Sequence, residues 1–520
     1  MKRLAYLMLI LPFANSALAQ FDSLEQSFTV DKHKVVPITL EKGQYLRGGV
    51  QSDLALKSAS IVNSQGEVVK PIIGLGERDG ELFWLVDQSG DYQLQLVTAG
   101  QTSQIDVEIA AKALKSDQTV NPKEAVISTR LKQVQAEIAQ GNTDAEPAFW
   151  HSIAKSGTPL IEPQPDGSAV LTFLWKGNES NVRLFGAPYD GHVYLSRIDN
   201  SDIWHKSYHV PNGSRLSYRI APNVPQLKSG DWREQRRAVL ATSAFDPLNL
   251  RPVFDGDDKF GPASTIEYGD VVSDQYTHDI GNPAGSISAY EVESEILSNS
   301  RSVKVYQPHT SYDLPKDAPL LIAFDGDQYL SRVPTPIILD NLIAAGKIPP
   351  MRALFINHPQ KQLRGKELPP NPKFAQFMAT ELIPWAKREL QIEPLARDTV
   401  LTGSSYGGLA SMYVAQQYPH VFGKVLSQSG SFWWGPSKFS AEWLTDEIED
   451  KPKNTIQIYM NAGVFELQPE HANIIDTNRK LYKVLQEKQY KVEFEELASG
   501  HDYYSWRVTI ANGLIHLFKS

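Results

Sequence analysis

Apolar and polar residues alternate from Phe21 to about Ile109, and the alternation is broken by turns such as Asn63-Ser64-Gln65-Gly66 and Gln88-Ser89-Gly90-Asp91. A period of two puts every second side chain on one sheet face, so residues 20–115 read as a small β-sandwich. The pattern then changes: Glu124 to Ala139 has helical spacing and a segment with Trp150 follows, which makes residues 116–165 a helical linker packed on a neighbour. Strands resume from Ser168 to about Pro222, with Tyr189 and Trp204 among the aromatics, and predict a second, immunoglobulin-like sandwich. The stretch from Asp246 to about Gly285 is rich in Asp, Gly and Pro, so residues 166–285 comprise this sandwich and a linker. After Ile287 apolar runs (Leu320 to Phe324, Leu354 to Asn357, Val400 to Thr402) alternate with helical spacing such as Phe374 to Glu389. That rhythm assigns residues 286–520 to an α/β domain with a mostly parallel sheet covered on both faces.

Within that domain, Thr399-Val-Leu-Thr-Gly403-Ser404-Ser405-Tyr406-Gly407-Gly408 runs from a β-branched strand through G-x-S-x-G into a helical pattern with Leu409, Met412, Tyr413 and Val414, ending at Tyr418-Pro419. This is the signature of a nucleophile elbow, in which glycines permit a turn that lifts a serine hydroxyl above the sheet. Ser405 is the candidate nucleophile, and the Tyr406 N–H is aimed at a developing oxyanion.

A serine hydroxyl needs a base and an orienting acid, in the chain order Ser, Asp/Glu, His for such folds. Of the twelve histidines, His501 follows the strand-like run Val492 to Leu497 in Gly500-His501-Asp502, so it sits on a strand-end loop and is the candidate base. His420, His471 and His516 lie in helical segments or their turns, where solvated or structural roles fit. Ile456 to Met460 reads as a buried strand, and the loop leaving it carries Glu466, the favoured acid, with Glu470 and Asp476 as alternatives.

The likeness extends beyond the elbow. Phe324-Asp325-Gly326-Asp327-Gln328-Tyr329, Arg364-Gly-Lys-Glu367-Leu368-Pro369, Glu381-Leu382-Ile383-Pro384, Ser427-Gln428-Ser429-Gly430-Ser431-Phe432-Trp433-Trp434 and Gly500-His501-Asp502-Tyr503 with Trp506-Arg507 resemble, in order, the enterochelin esterase family. Upstream, Leu171 to Trp175, Asp199 to Trp204, Tyr218-Arg219 and Asp246-Pro247-Leu248-Asn249 resemble the β-sandwich domain that precedes the hydrolase in those esterases. The resemblance implies an α/β-hydrolase that needs no cofactor or metal. Its implied oxyanion hole is the Tyr406 backbone with the Asp325-Gly326-Asp327 loop. The loop follows the apolar strand Pro319 to Phe324, so Gly326 and Asp327 lie at the same sheet end as the elbow. The implied substrate is a catecholate siderophore trilactone, ferric or iron-free. Trp433 and Trp434 would stack on catechol rings, and Arg364 and Arg507 would meet their charge. Two other readings are a feruloyl-type carboxylic esterase and a siderophore-binding protein without turnover. The family is not uniform in its acid, so Glu466 is the member of the set that depends most on geometry.

Composition narrows the partners. With 41% hydrophobic and 21% charged residues the chain is globular, and its net charge of −9 disfavours nucleic acid. Lys2 and Arg3, the apolar run Leu4 to Phe13 and Ala17-Leu18-Ala19 read as a secretory signal over residues 1–19, cleaved after Ala19. Its removal takes the net charge from −9 to −11. Ten apolar residues are too few to span a bilayer, so a periplasmic location without a membrane span is expected, with secretion as the other possibility. There is no cysteine, so neither disulfides nor thiolate-bound metal contribute.

Overall fold

The computed structural model describes residues 21–519 apart from residues 190, 255–260, 438–439 and 468–472. The expected signal segment, Glu470 and His471 lie outside the described residues.

The chain divides into two compact units, one running through Thr119 and taking in Asn223–Thr242, the other formed by Val120–Pro222 and Ser243–Ser520. In the first, two four-stranded antiparallel sheets face each other. The strand Ser103–Ala111 shows why they form: Ile105, Val107 and Ile109 are buried while Gln104, Asp106 and Glu108 are exposed. The inward set joins Leu46, Leu82, Leu94 and Leu96 in one core. A helix from far along the chain, Trp232–Thr242, completes the unit with Ala238 and Val239 buried. Glu234 on that helix accepts from Arg47 Nε at 2.8 Å, and Arg237 pairs with Glu81 at 2.6 Å. A boundary drawn near residue 115 therefore omits a piece of this unit, because periodicity reports only local contacts.

The second unit contains the other sandwich and the α/β domain. The expected helix at Glu124 to Ala139 begins later, at Thr129, because Ser128 Oγ accepts from Leu131 N at 3.0 Å and caps it there. With the helix Ala145–Ser156 it buries Leu131, Phe149, Trp150 and Ile153 against Leu174 and Ile203 of the sandwich. The sandwich has two four-stranded sheets around Phe173, Leu184, Trp204, Tyr218 and Ile266.

The α/β domain is built on eight strands in the order Ser286–Ser294, Asn299–Gln307, Arg352–Ile356, Leu320–Phe324, Thr399–Ser404, Lys424–Gln428, Gln457–Gly463, Lys491–Leu497. The first two pair antiparallel and the remaining six are parallel. Two apolar clusters cover the two faces, one with Phe374, Met412 and Leu481, the other with Ile338, Ile510 and Leu514. The continuous burial of Leu320–Phe324 and Thr399–Ser404 follows from that double cover. No helix among the described residues is long and apolar enough to cross a membrane.

Candidate active site

The elbow strand ends at Ser404 and the elbow helix starts at Tyr406, leaving Ser405 at φ 58°, ψ −118°. The positive φ thus falls on the serine itself, a conformation costing roughly 1–3 kcal/mol for a non-glycine residue. Gly403 serves a different purpose: a Cβ there would come within 2.8 Å of Gly407 Cα, so only glycine lets strand and helix approach so closely. Ser405 N donates to Gln428 O at 2.9 Å, Ser431 N donates to Ser405 O at 3.1 Å, and the two serine hydroxyls lie 3.2 Å apart. The turn is fixed on both sides by the neighbouring strand end.

His501 lies on the loop after the last parallel strand, and its Nδ1 is 2.5 Å from Glu466 Oε2. Glu466, 2% exposed, accepts at Oε1 from Gly463 N at 2.7 Å and from Ser429 Oγ at 2.6 Å. Ser429, at φ 47°, accepts in turn from Trp506 Nε1 at 2.9 Å, and the Trp506 ring meets the His501 ring edge to face at 4.8 Å. Histidine, carboxylate, hydroxyl and indole form a closed circuit. Gln428 ties that circuit to the elbow: its side chain donates to Trp506 O at 2.7 Å while its backbone carbonyl holds Ser405 N.

Gly326 and Tyr406 head the short helix Gly326–Ser331 and the elbow helix, and first-turn N–H groups have no intrahelical acceptor. Asp327 is different. Its N–H donates to Asn357 Oδ1 at 2.9 Å and its exposed carboxylate pairs with Lys304 at 2.8 Å, so its backbone is engaged elsewhere than at an oxyanion. Asp325, at φ 52°, is the loop residue turned inward, its carboxylate held by Arg364 Nε and Nη2 at 2.7 Å each. A Cβ on Gly407 would lie 3.7 Å from Asp325 Oδ2, which puts this carboxylate against the first turn of the elbow helix.

Behind Asp325 runs a buried chain of charge. His358 Nε2 is 3.6 Å from Asp325 Oδ1, His358 Nδ1 is 2.7 Å from Glu367 Oε2, and Glu367 Oε1 accepts from Arg301 Nη2 at 2.9 Å. Burial alone would push the Asp325 carboxyl up, but Arg364 and His358 outweigh it and hold the group well below the usual carboxylate range. Burial would likewise lower the His358 imidazole, and the facing Asp325 and Glu367 raise it instead.

The expected substrate-side residues separate into two groups. Arg364 lies 5.8 Å from the Tyr406 ring centroid, and Trp433 meets the same ring at 6.0 Å, so these three gather beside Ser405. The Trp433 indole N–H is buried without a hydrogen-bond partner among the described residues. Trp434 instead packs on the α/β core and edge to face on Trp443 at 6.3 Å. Arg507 stands over Phe254 at 5.0 Å, one position round the helix from Trp506, and burial beside Arg215 lowers its pKa. The helical turn explains the difference, since adjacent residues point about 100° apart. Asp476 is exposed and pairs with Arg479, whereas the carboxylate that meets His501 is Glu466.

Known proteins match the second sandwich and the α/β domain. The esterase family model matches residues 294–517, and the model for the N-terminal part of enterochelin esterase matches residues 170–274. An iron(III) enterobactin esterase of Dickeya dadantii is 30% identical over 414 residues, covering 71% of this chain and 92% of that protein. The chain belongs to the enterochelin esterase family. An iron(III) salmochelin esterase of Escherichia coli is 24% identical over 413 residues, covering 74% of this chain and 96% of that protein. The crystal structure of ferric enterobactin esterase from Salmonella typhimurium superposes with a TM-score of 0.60 at 26% identity, over 72% of this chain and 98% of that one. The Shigella flexneri enterobactin esterase, solved in the presence of enterobactin, gives 0.57 at 25% identity, again over 72% and 98%. This member of the enterochelin esterase family is a carboxylic ester hydrolase, and its α/β-hydrolase domain follows two β-sandwiches.

Proposed function

We propose that this enterochelin esterase family member hydrolyses the ester bonds of a catecholate siderophore trilactone of the enterobactin type, with Ser405 as nucleophile, His501 as base and Glu466 as the orienting acid. The observation that carries the reading is the 2.5 Å contact between His501 Nδ1 and Glu466 at the sheet end that also bears the strained Ser405. Relatives named for iron(III) enterobactin and salmochelin supply the substrate class.

With Nδ1 engaged by Glu466, the Nε2 of His501 takes the proton of Ser405 Oγ as that oxygen attacks the ester carbonyl. The N–H groups of Tyr406 and Gly326 receive the oxyanion. Collapse of the tetrahedral intermediate breaks the bond to the leaving seryl oxygen, which takes the proton from His501. The opened trimer then remains bound to Ser405 through its terminal carboxyl. Water, deprotonated by His501, releases it as a linear acid and restores the serine. The faces of Tyr406 and Trp433 suit catechol rings, and Arg364 lies where anionic oxygens would gather.

Mass spectrometry of products from enterobactin, with and without ferric iron, tests the reading. Linear trimer and smaller fragments are expected from the wild type and none from Ser405→Ala, which should still bind the trilactone. Faster turnover of hydroxycinnamoyl sugar esters would favour the feruloyl alternative, and absence of phosphonate labelling at Ser405 would favour a pure binder.

We further propose that the chemistry takes place after export, on the strength of the basic, apolar and Ala-x-Ala segments in residues 1–19. Protein recovered from the periplasmic fraction should begin at Gln20; cytosolic protein retaining Met1 would overturn this.

A further inference from the structure

The loop that carries the acid does not end in its own domain. Phe465, the residue before Glu466, is 5% exposed and belongs to the core of the second sandwich with Phe173, Leu184, Tyr218 and Ile266. Its ring meets Tyr189 of that sandwich edge to face at 5.6 Å, and Val464 packs on the same cluster. The loop carrying the base is held by the same sandwich. Arg215 N donates to Ala498 O at 3.0 Å, and Ser217 N donates to the Asp502 carboxylate at 3.1 Å. Gly500 passes so close that a Cβ there would lie 2.8 Å from Pro188 O. The two loops also join each other, since Val464 N donates to Leu497 O at 2.8 Å and Phe465 N to Ser499 O at 3.2 Å.

Strand-end loops are where conformations multiply, and a displacement of about 1 Å in a catalytic group can cost about 10²-fold in rate. An aromatic side chain set in a close-packed core has one place to go, because leaving it opens a void. We propose that Phe465 is a positioning residue through which the second sandwich fixes Glu466 against His501. The strand at Ser217 and the pocket around Phe465 then act as a rigid seat for the two loops. Phe465 contributes no chemistry of its own. The inference rests on the serine-esterase reading above.

The test compares Phe465→Ala with Val182→Ala, a truncation in the same core. Val182 pairs with Pro222, five positions along that strand from Ser217, or roughly 16 Å. Each full-length variant is assayed on p-nitrophenyl butyrate and on enterobactin, with folded sites counted by phosphonate titration. Phe465→Ala should lose about 10²-fold in kcat with KM within about twofold. The acid limb of its pH–rate profile should move, because the His501–Glu466 contact sets the basicity of the imidazole. Val182→Ala should lower the melting temperature but leave kcat per titrated site and the acid limb as in the wild type. Should Phe465→Ala fail to fold, Phe465→Leu asks the same question, with about tenfold lower kcat expected. Equal kcat per site in the Phe465 and Val182 variants would overturn the inference while leaving the esterase reading intact. A wild type inert on both esters would defeat the esterase reading, and this inference with it.

Discussion

Ser429 donates its hydroxyl to Glu466 at 2.6 Å, from a backbone held at φ 47°. The strained turn is kept because Ser429 N is itself fixed to Asn461 O at 2.8 Å and the side chain accepts the Trp506 indole at 2.9 Å. Ser429→Ala removes a charge-assisted bond and leaves a buried indole N–H unpaired, so a loss of about 2 kcal/mol in stability is expected. With Glu466 less constrained, kcat should fall about tenfold while KM holds. Thermal unfolding and steady-state kinetics check the two halves separately.

Glu466 should matter less than His501. Removing the base takes away the proton acceptor, whereas Glu466→Gln leaves an oxygen that still accepts from His501 only in the right tautomer. Losses in kcat of about 10⁶-fold for His501→Ala and about 10⁴-fold for Glu466→Gln are expected, by analogy with other serine triads. Single-turnover acylation rates would show the ordering, and equal losses would mean that acid and base act as one indivisible unit.

Asp502 predicts a pH dependence on the acid side. Burial pushes its carboxyl up to about 6, against the bonds from Ser505 N and Ser217 N. The folded state therefore holds this proton more tightly than the unfolded state, whose carboxyl titrates near the ordinary value of 3.8. The stabilisation is complete below that value and is lost as pH rises to about 6. Asp502→Asn cannot ionise, so its melting temperature relative to the wild type should be more favourable at pH 7 than at pH 4.

His358 predicts the alkaline counterpart. Against the opposing effect of burial, Asp325 and Glu367 raise its pKa above the ordinary value of 6.5. Its contribution to stability is full below that value and disappears as pH rises through the folded pKa. Arg301 and Arg364, which face the same two carboxylates, stay charged throughout. Denaturant titrations at pH 6 and pH 9 should show a larger loss in the wild type than in His358→Gln.

The sequence made some of this site legible and hid the rest for identifiable reasons. The elbow is a local signal, and the turn at Ser405 is where that signal puts it. Glu466 follows a recognisable buried strand and His501 a strand-like run, so placing both at one sheet end requires only the parallel order. Ser429 sits in a run of small residues whose role depends on a partner 37 positions away, which no periodicity reports. Arg364 is expected to meet substrate charge, and the sequence does not show that its fork is bonded to Asp325 across 39 positions. Asp327 and Arg507 are expected at the site from the family-like motifs, and a motif does not say which way an N–H or a side chain points. The seat of Phe465 in another domain's core is visible only in three dimensions.

The helix Trp232–Thr242 has a practical implication for dissection of the molecule. Its buried face and its Arg47–Glu234 link belong with strands encoded nearly two hundred positions earlier. A fragment beginning at Val120 would strand that helix without its counterpart, and one ending at Thr119 would lack a covering element. Trimming at the obvious N-terminal border should therefore yield sticky, protease-sensitive pieces. Excising both segments together and bridging the gap between Pro222 and Ser243 is the cut that respects how the polypeptide is woven.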